Sequence, residues 1–227
     1  MGNVTALHPP APTAAAPAGL TDLGPIAQVR AGRLARRLPQ LYVGLVLYGV
    51  SLAMMVRGDL GLAPWDVLHS GLAAHLPLTL GQAVVVMSFV VLLAWIPLRE
   101  VPGLGTISNA LVIGFSADAA LALLDRPSAI VLRVLLMVGG ILLCGLATAL
   151  YIGAQLGRGP RDGLMTGLAR RTGLSLRLVR TLLELSVVAL GLLLGGHLGL
   201  GTILYAFALG PLTQLWLPAF TVRLDRS

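Results

Sequence analysis

Charge is what this chain has least of. Only 11% of its 227 residues are charged, whereas 56% are hydrophobic. A soluble domain carries about a quarter of its residues as charges. So few polar groups cannot cover a globular surface, and the mean hydropathy of +0.89 makes lipid the solvent for much of the chain. Cysteine is nearly absent. Cys144, the single one, lies in an apolar stretch, which excludes disulfides and cysteine metal clusters. His8, His69, His75 and His197 are scattered, with no HExxH pattern and no paired carboxylate. No metal site, cofactor or catalytic triad is expected, and an enzyme is not expected. Aromatics make up 5% of the chain and do not interleave with the basic residues. The charge of +7 and pI of 11.0 therefore do not indicate nucleic acid as a partner. Trp65, Trp95 and Trp216 stand near the ends of apolar runs, where interfacial anchoring is expected.

Long apolar runs occupy residues 41–56, 83–98, 107–124, 130–150, 182–194 and 200–220. Most approach the ~20 residues that span ~30 Å of hydrocarbon. The fifth reaches that length only if residues 174–181 continue the same helix. Residues 1–38 are different material, with Pro9, Pro10, Pro12 and Pro17 among Ala, Gly and Thr, and are expected to be a disordered cytoplasmic arm. Neither a cleaved signal peptide nor a myristoylation signal is expected there.

The chain also repeats itself. At a constant offset of 96 residues (60 to 156), the run LGLAPWDVL from Leu60 aligns with LGRGPRDGL from Leu156. The same offset carries Gly71-Leu72-Ala73 onto Gly167-Leu168-Ala169, and Gly103-Leu104-Gly105-Thr106-Ile107 onto Gly199-Leu200-Gly201-Thr202-Ile203. Upstream, Gly44, Gly49 and Ala53 fall on Gly140, Gly145 and Ala149. Shared apolar composition does not match Pro, Asp and Gly at one offset, so the chain reads as a duplication. Each unit is a span, a short helix opened by LGxxPxD, a second span, a GLGT turn and a third span. The first membrane repeat covers residues 39–125 and the second 126–220, with a cytoplasmic tail at 221–227.

Three crossings per unit is odd, so the second unit enters the membrane upside down. Arginine tests the inversion. Trp65, Ala74, His75, Gly81 and Val84 of the first unit become Arg161, Arg170, Arg171, Arg177 and Arg180 of the second. Arginine is retained on the cytoplasmic side. Both termini then lie inside. Thirteen of the sixteen arginines are cytoplasmic, and Arg57, Arg126 and Arg133 are external. The expected fold is all-α: a polytopic transmembrane bundle of six spans in two inverted three-helix repeats. The alternative, eight crossings with parallel repeats, makes full spans of residues 64–76 and 160–172. About thirteen residues rise only ~20 Å as helix.

Several polar residues are candidates for substrate or ion binding. Pro64 and Pro160 suit the first turns of short helices, with Asp66 and Asp162 two positions on. There a carboxylate either complements the helix dipole or forms one of a pair of pseudo-symmetric sites at half-helix ends. Glu184 is a carboxylate within the fifth span, costly in lipid, and Arg180 four residues earlier is its natural ion-pair partner. Arg161 is a second cationic candidate. Asn109 and Asp118 lie in the third span and either line a polar cavity or bond across helices. The GLGT turns complete no phosphate-binding pattern.

The run Leu60 to Leu68, the run Tyr151 to Leu168 with its PRDGLM core, and Val179-Arg180 followed by Glu184 resemble the bacterial YczE/YyaS/YitT membrane proteins over residues 38–220. That family is largely uncharacterised. The resemblance implies a bacterial membrane protein and leans toward transport, because some relatives are classed with small-molecule exporters of the novobiocin-exporter type. It transfers no catalytic residues. The leading expectation is a secondary transporter in the cytoplasmic (inner) membrane, exporting a small molecule against a coupling ion. The alternative is a non-transporting membrane module that scaffolds or regulates a biosynthetic or transport partner.

Overall fold

The computed structural model describes Leu20 and residues 23–224. Most of the N-terminal arm, and Arg226, lie outside the described residues. Order begins earlier than expected. A short helix, α1 (Pro25–Arg30), and the first turn of α2 (Leu34–Gly58) fall inside the segment assigned to the disordered arm. The reason is Arg37, fully buried. Its guanidinium donates to the Gln28 and Gly32 carbonyls at 2.6 and 3.1 Å and so ties α1 to the body of the protein.

The rest of the chain is α3 (Pro64–His75), α4 (Leu80–Leu98), α5 (Leu104–Leu123), α6 (Ile130–Gly153), α7 (Pro160–Thr172), α8 (Leu176–Leu193) and α9 (Leu200–Phe220). No strand occurs among the described residues. By length and composition, five helices can cross a membrane: α2, α4, α5, α6 and α9. The expected sixth, α8, has 18 residues but carries Arg177, Arg180 and Glu184, and falls short on composition. With 12 and 13 residues, α3 and α7 rise about 18–20 Å and are too short to span. Outward-facing side chains are apolar over much of the surface, as at Phe115, Phe207 and Leu193. That suits lipid contact.

At the centre α2 and α6 run antiparallel in close contact. A Cβ at Gly44 would lie 2.8 Å from the Tyr151 backbone nitrogen, and one at Gly140 3.0 Å from the Ser51 carbonyl oxygen. Small residues permit that approach. At each end of the pair an arginine closes the neighbour's C-terminus. Arg37 donates from Nε to the Ala154 carbonyl at 2.8 Å and from Nη2 to the Gln155 carbonyl at 2.6 Å. Arg133 donates from Nε to the Gly58 carbonyl at 2.9 Å and from Nη2 to the Asp59 carbonyl at 2.6 Å. These carbonyls end helices and have no partner within the helix. The two clamps correspond atom for atom, and every residue in one stands 96 positions from its counterpart in the other.

Other contacts follow the same correspondence. The Gly105 N–H donates to Leu156 O at 2.7 Å, and the Gly201 N–H to Leu60 O at 2.8 Å. Gly61 and Gly157 have φ of 121° and 133°, in the region that L side chains rarely adopt. There Gly61 lies against Gly199, and Gly157 against Thr106. Helix α7 packs on α4, and its counterpart α3 packs on α8. A Cβ at Gly163 would reach 2.0 Å from the Trp95 ring, while Gly191 of α8 meets the Val67–Leu68 backbone. Each short helix therefore seats on a long helix of the other half.

Candidate functional site

The first turns of α3 and α7 meet through Arg161. The Arg161 guanidinium lies over the Trp65 ring, 5.0 Å from its centroid, and its Nη2 is 3.9 Å from Asp66 Oδ1. Trp65 and Arg161 are counterparts in the 96-residue correspondence, as are Asp66 and Asp162. Between the short helices and α2, α6, α8 and α9 lies a cavity of about 240 Å³. Trp65, Arg161, Asp162, Arg180, Glu184 and Gln214 contribute to its lining, with the rings of Tyr48, Tyr151 and Tyr205. A smaller cavity of about 50 Å³ adjoins it through Tyr48, Tyr151, Arg161 and Asp162, and is also lined by Ser88 and Asn109.

The residues named from sequence divide by location. Arg161, Asp162, Arg180 and Glu184 meet at the larger cavity, and Asn109 lines the smaller one. Arg180 Nε donates to Glu184 Oε1 at 2.8 Å, the expected pair one helical turn apart. Asp162 Oδ2 accepts from the Tyr151 hydroxyl at 2.8 Å. Asp66 is buried, outside the lining of either cavity, and bonds His69 Nδ1 at 2.9 Å. Neither aspartate accepts from a first-turn N–H among the described residues, so side chains rather than helix ends hold them. Asp118 is elsewhere. It accepts from the Thr79 hydroxyl and from the Gly81 N–H at 2.8 Å, fastening α5 to the start of α4.

Sequence reasoning missed His69, the cavity-lining rings of Tyr48 and Tyr151, and the arginine clamps. His69 stands three residues after Asp66, a spacing that puts both on one helical face, and that was the available signal. Burial pushes its imidazole below the ordinary value of 6.5, against the upward pull of the Asp66 hydrogen bond. Arg37 and Arg133 are themselves 96 residues apart, so the alignment that revealed the repeat also contained the clamps. The expectation for Trp95 and Trp65 needs correcting. Trp95 is 3% exposed and donates to the Pro160 carbonyl at 2.9 Å. Trp65 stacks on Arg161. Trp216 is half-buried and approaches Gly145.

The fold and the cavity define a class: a helical membrane protein with a polar, charge-lined chamber where two short helices meet. The chain belongs to the family described as Family of unknown function (DUF6198), whose model matches residues 35–218. It is 41% identical over 177 residues to an uncharacterized protein of Haemophilus influenzae, covering 78% of this chain and 81% of that one. It is 31% identical over 179 residues to the uncharacterized membrane protein YczE of Bacillus subtilis, covering 78% and 83%. A third relative, the uncharacterized protein YyaS of Bacillus subtilis, is 26% identical over 183 residues, with 78% and 90% covered. These relatives bear out the resemblance read from the LGxxPxD segments. No solved structure matches.

Proposed function

We propose that the chain is a secondary transporter of the bacterial cytoplasmic membrane, an exporter of a small molecule, working by alternating access between two inverted three-helix repeats. In this reading α2, α4 and α5 cross in the first repeat, and α6, α8 and α9 in the second. Helices α3 and α7 enter from opposite sides without crossing, and both termini are cytoplasmic. The sixth crossing, α8, is supported by its correspondence to α4 and by its charge placement. Its arginines lie in the first two turns, Glu184 is paired with Arg180, and residues 185–194 carry no charge.

The observation that carries the reading is the cavity. Ionisable groups within a membrane are expensive and mark ligand or ion paths. Here four charged side chains from two helices surround one empty volume at the junction of the halves, the place where inverted-repeat transporters bind their cargo. A scaffold with no transport role requires a dry interior instead. Asp162 and Glu184 line the path and are the coupling candidates that meet cargo. Asp66 acts from outside the lining, through His69 and Arg161.

The test is flux. Proteoliposomes containing the purified chain are loaded with a small-molecule extract of the producing cells, and a proton or sodium gradient of either polarity is imposed. Mass spectrometry of the lumen should show selective loss of one compound or a few, abolished by Asp162→Asn or Glu184→Gln. If every compound stays at its level in protein-free vesicles under all gradients, transport is wrong. If loss occurs but survives both substitutions, the coupling roles are wrong.

A further inference from the structure

Three features of the larger cavity point to one class of ligand. The first is Arg161. Trp65 covers the face of its guanidinium, and the nearest carboxylate oxygen is 3.9 Å away, beyond hydrogen-bond reach. Among the described residues it donates no hydrogen bond to protein, although its side chain is only 22% exposed. A stacked guanidinium keeps its edge free, and that planar fork matches a carboxylate through two parallel bonds.

The second feature is the pair of carboxylates. Asp162 uses Oδ2 to accept from Tyr151, and Glu184 uses Oε1 to accept from Arg180. Their other oxygens have no protein donor among the described residues. The cavity thus offers an unused cationic donor edge and unused anionic acceptors together. The third feature is a pair of hydroxyls. Thr148 is 8% exposed, and its Oγ1, like that of Thr213, is buried without a hydrogen-bond partner. Both residues line this cavity. Buried polar groups normally have partners, so these two covered hydroxyls leave unused hydrogen-bonding capacity within the cavity wall.

Charge decides the kind of guest. Among the lining side chains Arg161 and Arg180 stand against Asp162 and Glu184, with Asp66 outside the lining 3.9 Å from Arg161, so the cavity presents charges of both signs. A purely anionic or purely cationic guest leaves one charge uncompensated in an apolar surround, which is costly. A guest bearing both signs does not. A volume of about 240 Å³ lies below the ~300 Å³ at which drug-sized pockets begin, and suits a molecule of amino-acid size.

We infer that the cavity binds a small amphoteric molecule, its carboxylate forked onto the Arg161 guanidinium and its ammonium group on the Asp162 carboxylate. This deepens the transporter reading and rests on it for biological meaning, though binding is measurable without flux. Trp65 and the tyrosines Tyr48 and Tyr205 supply the walls against the rest of the guest.

The experiment uses the full chain purified in detergent, with ligand binding read by thermal unfolding and by calorimetry. The probes are the twenty common amino acids, β-alanine and 4-aminobutyrate. For each binder, the carboxamide (cation only) and the deaminated acid (anion only) are measured beside it. At least one amphoteric compound should bind, and its two single-charge analogues should bind at least tenfold more weakly. Arg161→Lys keeps the charge but loses the fork, and should weaken that compound at least tenfold while unfolding within a few degrees of wild type. Asp162→Asn should do the same and should narrow the gap to the deaminated acid. Absence of binding by every amphoteric probe overturns the inference, as does a deaminated acid or carboxamide that binds equally well. Should Arg161→Lys fail to fold, the Asp162→Asn comparison decides alone. Binding without flux in proteoliposomes overturns the transporter reading and leaves the inference standing. Flux of a compound lacking either charge does the reverse.

Discussion

At the residue scale the clearest division is between charges that hold the fold and charges that face the cavity. Arg37 and Arg133 read from the sequence as topology signals, one inside and one outside, because arginines at span ends usually are. In the structure each saturates the carbonyls at a neighbouring helix end. Removing such a group leaves buried acceptors unpaired, at about 1–3 kcal/mol for each. Arg37→Met should therefore lower the unfolding temperature substantially. Arg133→Met should lower it less, because the Arg133 side chain is 20% exposed and water replaces part of its bonding. Equal effects, or no effect from Arg37→Met, would contradict the clamp. His69 gives a pH prediction. Its folded-state pKa lies below the ordinary 6.5 because of burial. The unfolded chain therefore takes up a proton that the folded chain resists. The corresponding stability is complete above about pH 6.5 and falls as the pH drops toward the folded-state value. Wild type should unfold at a lower temperature at pH 5.5 than at 7.5, and His69→Gln should flatten that dependence. An unchanged slope in the variant would remove His69 from the explanation.

At the element scale the short helices are what the sequence made visible most directly. Pro, Asp and Gly recurring at one offset marked the starts of α3 and α7, since those residue types have fixed backbone and capping roles. Their packing partners were not legible. Nothing local says that α7 seats on α4 of the other half, because that contact is carried by a glycine and an aromatic ring about 70 residues apart. Trp95 was misread for this reason, as an interfacial anchor where it is a buried donor to Pro160. The contact predicts a coupling. Gly163→Ala puts a Cβ into the Trp95 ring and should cost about 1–3 kcal/mol, as overpacking does. In a Trp95→Phe background, where the ring is smaller, the same substitution should cost less, the departure from additivity that contacting residues show. Thermal unfolding of the four proteins checks this. Strict additivity would mean that the two side chains do not limit each other.

At the scale of the whole molecule, two halves of one chain exchange equivalent contacts. Arg37 and Arg133 trade helix ends, Gly105 and Gly201 trade backbone bonds to Leu156 and Leu60, and α3 and α7 trade partner helices. The antiparallel α2–α6 pair supports an inverted arrangement. The arginine bias toward the second LGxxPxD segment is an independent support from sequence. The correspondence of the two halves was legible from periodicity, and charge made their inversion an expectation. What was not legible, the meeting of Arg161 with Trp65 and Asp66, depends on helix ends brought together from distant parts of the chain. The central claim, that the halves are opposed across the membrane, is tested most directly by the sidedness of two equivalent positions. His75, the last residue of α3, and Arg171, the last but one of α7, are both exposed and stand 96 residues apart. In a Cys144→Ala background, His75→Cys and Arg171→Cys are each treated in intact cells with a membrane-impermeant maleimide, before and after permeabilisation. Labelling at position 75 in intact cells, and at position 171 only after permeabilisation, is the predicted result. Labelling of both from the same side would contradict it.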